Sequence, residues 1–277
     1  YSIHKYAINF VPMAIIDHAP VSPIMTARFD TAFKIIAITR FGQRELRRVG
    51  IDSTYIPHGV RTDIYKPLTE HKADCRKLWY LDPDEFVVGI VAMNRSRKMI
   101  PRMLRGYKLF RERNPDVKSH LMLWTDVQGA TSQEEALPTG VADVGVNLLP
   151  EIVNLGLDEA VRWTKMDEVK KMGGLPEWLG ENYKAGWDMV KLYNCFDVLL
   201  MCTGGEGFGL PIVEAQSCGV PVITTDYAGG AEQVGAGLTV PWSDYVILNT
   251  PGTRYVLADL DKMADALTNI LNANREK

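Results

Sequence analysis

Residues Lys191–Asp226 read "KLYNCFDVLLMCTGGEGFGLPIVEAQSCGVPVITTD". Two apolar runs, "VLLMCT" and "VPVITTD", have the length and composition of buried strands. The first follows a helical pattern, "DMVKLYNCFD", and leads into a turn crowded by Gly204, Gly205, Gly207 and Gly209. A second helix opens near Leu210 or Pro211, where proline is tolerated because its missing N–H has no partner in the first turn anyway. Strands apolar on both faces, joined through helices, imply a parallel sheet covered on both sides, the doubly wound α/β arrangement. Ligands of such sheets bind beyond the carboxyl ends of the strands, which is where this glycine turn falls.

The same alternation runs outward in both directions. "NFVPMAIID", "KIIAI" and "STYIPHGV" read as strands, with "TRFGQRELRRVG" as a helix closed by Gly50. "EFVVGIVAMN" and "SHLMLWTD" read as buried strands. Between them Ile100, Met103, Leu104, Tyr107 and Phe110 recur at helical spacing. "GVNLLPEIVNLGL" predicts a short helix despite Pro150, and "DLDKMADALTNILNANREK" a long final one. The polar stretch "YKPLTEHKADCRKLWYLDPDE" predicts a boundary, dividing a short part, 1–75, from a longer one, 76–277.

Composition narrows the function classes. A formal net charge of −3 argues against a dedicated nucleic-acid binder. No apolar run reaches the roughly 18 residues of a membrane span. The first residues lack the basic start and apolar run of a signal peptide, and the cysteine usage gives the expectation of a cytoplasmic protein. Cys75, Cys195, Cys202 and Cys218 form no CxxC pair and read as reduced core residues. No histidine stands at zinc-ligand spacing from a cysteine.

Glycines let backbone N–H groups approach a ligand, and the following helix start adds unpaired N–H groups and a positive dipole end. Together they suit an anion, most naturally phosphate. The pattern is neither a Walker loop nor the G-x-G-x-x-G dinucleotide fingerprint, which argues against an oxidoreductase. Glu206 and Glu214 need a separate reason, because a phosphate would repel them. Both can accept hydrogen bonds from hydroxyls. A ligand with phosphates and hydroxyl-rich rings is a sugar nucleotide. By spacing alone the alternative stays open: Glu206 as a helix cap and Glu214 as a solvated surface residue.

"EGFGLPIVE", followed by "AQSCGVPVITTD", closely resembles the E-x7-E signature of family-four glycosyltransferases, retaining enzymes of the GT-B fold. "IAITRFGQRELRRVGIDSTYIPHGVRTDIYKPL" resembles the family's exit from its N-terminal domain, and "VVGIVAMNRSRKMIPRMLRGYKLF" the opening of its donor domain. The resemblance implies a transferase using a UDP- or GDP-sugar as substrate, with no cofactor and no metal. The acceptor would be a glycan, a lipid or a small molecule, which leaves room for peripheral membrane contact. It implies that Glu206 meets the donor sugar's hydroxyls and Glu214 the ribose. The backbone of Gly207, Phe208, Gly209 and Leu210 would meet the diphosphate. Arg95 and Lys98 are the best matches for the cations that neutralise the leaving diphosphate, with Asn94 and Arg97 as neighbours. Cations aimed there are sound chemistry in their own right, since the leaving group gains charge. Arg102, Arg105, Lys108 and Arg111 instead form the polar face of a helix. Asp17 or His18 would line the cleft near the transferred sugar. His58 and Gly59 edge that cleft or simply pack, as do Trp178 and Trp187 near the base.

Against the family pattern, the first domain is expected to lack its opening portion, roughly 100 residues by ordinary domain size. The donor domain is expected to be complete or nearly so. A non-catalytic sugar-nucleotide-binding module and a sugar-nucleotide epimerase or hydrolase on the same fold are the rival readings.

Overall fold

A computed structural model describes residues 9–68, 72–77, 79, 81–129, 145–163, 189–248 and 252–276. The first part is a small parallel sheet of β1 (Met13–Ala14), β2 (Ile36–Ala37) and β3 (Thr54–Tyr55), with helices α1 (Pro23–Thr26) and α2 (Arg40–Arg48). Thr39 caps α2 by accepting from the Gly42 N–H at 3.0 Å. Its strands are far shorter than the apolar runs that predicted them. Val11, Met13, Ile15 and Ile56 are exposed, so only part of each run is held in a ladder.

Then come α3 (Lys72–Lys77), β4 (Phe86–Val91), α4 (Ile100–Arg113), β5 (Ser119–Trp124), α5 (Leu149–Asn154) and β6 (Val161–Trp163). After them the chain runs through α6 (Met189–Cys195), β7 (Val198–Met201), α7 (Leu210–Ser217), β8 (Val222–Thr225), α8 (Ala228–Ala231) and β9 (Gly237–Val240). Strands β4 to β9 make one parallel sheet in the order β6-β5-β4-β7-β8-β9. A hairpin of β10 (Trp242–Leu248) and β11 (Thr253–Ala258) and the long helix α9 (Leu260–Arg275) complete the described chain. The doubly wound α/β architecture expected from the alternation is the one found.

Alternation along the strands sends side chains to two cores. Phe86, Val88 and Ile90 of β4 face α4 and α9, while Val87 and Val91 face α6 and α7. The predicted stripe Ile100, Met103, Leu104, Tyr107 and Phe110 is the buried face of α4. Its polar face does more than meet solvent. Arg102 donates to the Ala258 carbonyl at 2.5 Å, and Arg105 pairs with Glu151 of α5 at 2.7 Å. Pro150 sits in the first turn of α5, which is why it does not break the helix. All four cysteines are free and buried, and burial pushes the Cys202 thiol up.

The expected division at 75/76 falls inside α3. Cys75 belongs to the same core cluster as Tyr193 and Leu199, and Ile64, Tyr65 and Leu68 pack against it. The chain therefore joins the larger core before its polar stretch ends.

One glycine in β4 marks how tightly that core is filled. Gly89 lies against the ring of Phe196, and a Cβ there would overlap the ring carbons. Gly89→Ala is expected to cost about 1–3 kcal/mol through overpacking, read as a lower urea midpoint. An unchanged midpoint would show that Phe196 can step aside.

The hairpin β10–β11 was not anticipated. In the sequence, "YVIL" and "RYVL" flank a Pro-Gly pair, a turn signal between two strand-like runs.

Candidate functional site

The large sheet reverses direction between β4 and β7: the chain winds outward from β4 to β6, then returns to β7 and winds the other way. Such a switch point opens a crevice at the carboxyl ends of the two central strands. The turn after β4 carries Asn94–Met99, and the turn after β7 carries Thr203–Gly209. They are stitched together by the Gly204 N–H, which donates to the Arg97 carbonyl at 2.9 Å. The turn after β8 joins them through the Gly229 N–H, which donates to the Glu206 carbonyl at 2.8 Å.

Glu206 is at the centre. It is 6% exposed, and its carboxylate receives Lys98 Nζ at 2.5 Å on Oε1. The Arg97 guanidinium stands 3.5 Å from Oε2 and donates to the Gly205 carbonyl at 2.8 Å. Burial pulls the Lys98 ammonium down, with Glu206 opposing that shift. Arg97 is held up, since Glu206 and Asp17 outweigh its own burial. Glu206 is therefore no helix cap. It is the anion of a buried ion cluster.

The loop after β1 closes the cluster from the first part. Asp17 Oδ2 lies 3.6 Å from Arg97 Nε, and Asp17 Oδ1 lies 2.7 Å from His18 Nδ1. Among the described residues, buried His18 Nε2 has no hydrogen-bond partner. Gly205 is needed for this approach, because a Cβ there would collide with the Asp17 carbonyl oxygen. Both Asp17 and His18 thus stand at the Glu206 cluster.

Glu214 lies on α7, half-buried, and accepts from the Tyr193 hydroxyl at 2.7 Å. That bond and burial together push the Tyr193 phenol well above its usual range. Gly209 caps α7 in the left-handed region, φ 91°, and Pro211 in the first turn brings no N–H of its own. Leu210 is exposed there. Phe208 is buried and meets His58 edge-on at 5.1 Å, so His58 packs across from the first part. Gly207 abuts Ile15.

Of the expected residues, Asn94 is turned to neighbouring loops. Asn94 donates both amide hydrogens, to the carbonyls of Asp126 and Val146, each at 2.7 Å, so its side chain straps neighbouring loops. Arg95 begins the 3-10 turn Ser96–Lys98, and it is Arg97 that reaches Glu206. Trp178 and Trp187 lie outside the described residues. Sequence reasoning missed Tyr193, Tyr227 and Gly229. Tyr227 accepts from the Ala19 N–H at 2.8 Å, and nothing local to "DYAGG" signals a partner 208 residues away.

The described residues contain no group of three or more side chains placed to hold a metal ion, and no helix long and apolar enough to cross a membrane.

Solved structures with this arrangement are GT-B glycosyltransferases. The Anabaena protein HepE in complex with UDP-glucose matches at a TM-score of 0.65 and 18% identity, covering 96% of this chain and 63% of that one. Sucrose-phosphate synthase from Thermosynechococcus elongatus matches at 0.68 and 19% identity, covering 97% and 60%. The fold is therefore GT-B. Residues 156–273 match the family model described as "Glycosyl transferases group 1". A D-inositol 3-phosphate glycosyltransferase of Actinosynnema mirum is 24% identical over 218 residues, which cover 73% of this chain and 45% of that relative. An O-antigen chain mannosyltransferase B of Escherichia coli is 36% identical over 90 residues, covering 32% and 23%. The chain spans about half the length of the D-inositol 3-phosphate glycosyltransferases it matches. In sequence the chain is thus similar to group 1 glycosyltransferases, and in fold to GT-B enzymes.

Proposed function

We propose that this chain carries the donor site of a metal-independent glycosyltransferase that moves a sugar from a nucleoside-diphosphate donor to an acceptor hydroxyl with retention of configuration, in the cytoplasm. The observation that carries the reading is the buried Glu206 bracketed by Lys98 and Arg97 at the switch point, beside the start of α7. A carboxylate has about four acceptor directions, so Glu206 can take sugar hydroxyls alongside Lys98. Glu214, oriented by Tyr193, accepts from the ribose. The N–H groups at Gly207 to Leu210 receive the diphosphate.

As the bond from the anomeric carbon to the phosphate oxygen breaks, negative charge grows on the diphosphate. Lys98 and a neighbouring arginine stabilise it. Arg97 fits that arginine better than Arg95, because its guanidinium already stands at the cluster. The acceptor oxygen attacks on the face the diphosphate leaves, within a short-lived ion pair. Its proton passes to the departing phosphate oxygen, and the nucleoside diphosphate is released. His18, held by Asp17, lines the sugar's side of the cleft.

Calorimetric titration with UDP-, GDP- and ADP-sugars tests this, and a UDP-hexose is the first choice given the HepE complex. Glu214→Ala is expected to weaken binding about tenfold or more, the loss of hydrogen bonds to a charged acceptor. If no sugar nucleotide binds, the reading fails. Binding undiminished in Glu214→Ala would remove the ribose role.

A further inference from the structure

A recess of about 390 Å³ opens between α2 and the turn after β8, lined by Phe41, Arg44, Asp226, Tyr227, Ala228 and Glu232. Its volume lies within the range of small-ligand sites. Two aromatic rings form its apolar wall, Phe41 and Tyr227 meeting edge-to-face at 5.8 Å. Glu232 is committed to the first part: it accepts from the Arg40 N–H at 2.8 Å and pairs with Arg44 at 3.3 Å. Asp226 is exposed, and among the described residues its carboxylate has no hydrogen-bond partner. The charge left open in the recess is therefore negative.

The recess borders the Glu206 turn. A Cβ on Gly205 would lie 3.6 Å from the Tyr227 ring, so one edge of that ring touches the turn while the residue lines the recess. Asp226 is three residues from Gly229, whose N–H bonds the Glu206 carbonyl. Three residues span at most about 11 Å.

An aromatic wall, an open carboxylate and a guanidinium at the rim suit an uncharged ring bearing many hydroxyls. The apolar face of a pyranose rests on aromatic rings, and its hydroxyls donate to a carboxylate. A phosphate would be repelled by Asp226. We propose that this recess is the acceptor subsite, taking a neutral sugar ring whose hydroxyl faces the donor held at Glu206. The acceptor role rests on the donor reading above; the saccharide site itself does not.

The test is saturation-transfer NMR on the 277-residue chain with UDP present, using the methyl α-glycosides of glucose, mannose and galactose as probes. At least one glycoside is expected to give a signal that falls fivefold or more in Asp226→Ala and in Phe41→Leu. Calorimetric affinity for the UDP-sugar should stay within twofold of the parent in both variants. No glycoside signal, or a signal in both variants equal to the parent's, overturns the proposal. So does a parallel loss of donor affinity, which would mark the recess as part of the donor site. If glycosides bind here and no sugar nucleotide binds anywhere, the donor reading falls and the saccharide site stands.

Discussion

Glu206→Ala is expected to lower stability by about 3 kcal/mol, because it leaves the buried Lys98 beside Arg97 without its counter-charge. The Lys98 side chain is 11% and the Glu206 side chain 7% exposed, so solvent does little to screen the loss. A urea denaturation midpoint measures it. The double variant Glu206→Leu/Lys98→Met should recover part of the loss, since removing both charges avoids an unpaired one. Additive effects of the two single changes would mean that the pair is not coupled. In nucleotide release with a UDP-sugar, Glu206→Ala should also fall about a hundredfold, the scale of losing one preorganised electrostatic contact. Release within threefold of the parent would remove Glu206 from the chemistry.

A second large effect is expected at Asp197, far from the cleft. Its carboxylate accepts from the Val87 N–H at 2.7 Å, from Arg76 at 2.6 Å and from Lys72 at 2.7 Å. It thereby ties α3, the start of β4 and the end of α6. Arg76 is 2% exposed and also donates to the carbonyls of Cys195, Pro83 and Glu85. Asp197→Ala leaves a buried guanidinium with carbonyls but no counter-charge, at a cost of about 3 kcal/mol. The loss should appear in the urea midpoint and leave donor affinity at 20 °C within about twofold, since none of these groups touches the cleft. A loss below about 1 kcal/mol would show that the carbonyl cage alone satisfies Arg76.

The doubly wound fold was legible because it rests on local signals, and the proposed sugar-nucleotide reading was drawn from signals of the same local kind. Buried strands announce themselves as apolar runs, and α4 as a 3.6-residue stripe that the structure buries residue for residue. The glycine turn with its two carboxylates is likewise contiguous, within Gly204–Glu214. Less legible was the hairpin β10–β11, whose alternation carries no sign of which face is covered. Here the buried strand is β11, through Tyr255 and Val256, and it is pinned by the Val256 N–H donating to the Gly204 carbonyl at 3.0 Å. The choice between Arg95 and Arg97 was beyond spacing as well. In a 3-10 turn neighbours two residues apart point in different directions, and only the turn's docking on Gly204 and Gly205 decides which one reaches Glu206.

By itself the sequence determined the alternation of the main strands and helices and their order, though not the hairpin β10–β11, since periodicity and turn chemistry are properties of neighbouring residues. It also brought Glu206 and Glu214 to the same strand-to-helix turn. Tertiary structure alone decided what those carboxylates face. Glu206 is separated from Lys98 by 108 residues, and Tyr193 from Glu214 by 21. Asp17 reaches Arg97 only because β1 of the first part ends against the turn after β7. Strand order in the sheet, set by how apolar faces find cover, makes these contacts, and a charge acquires its partner only when that packing brings it there.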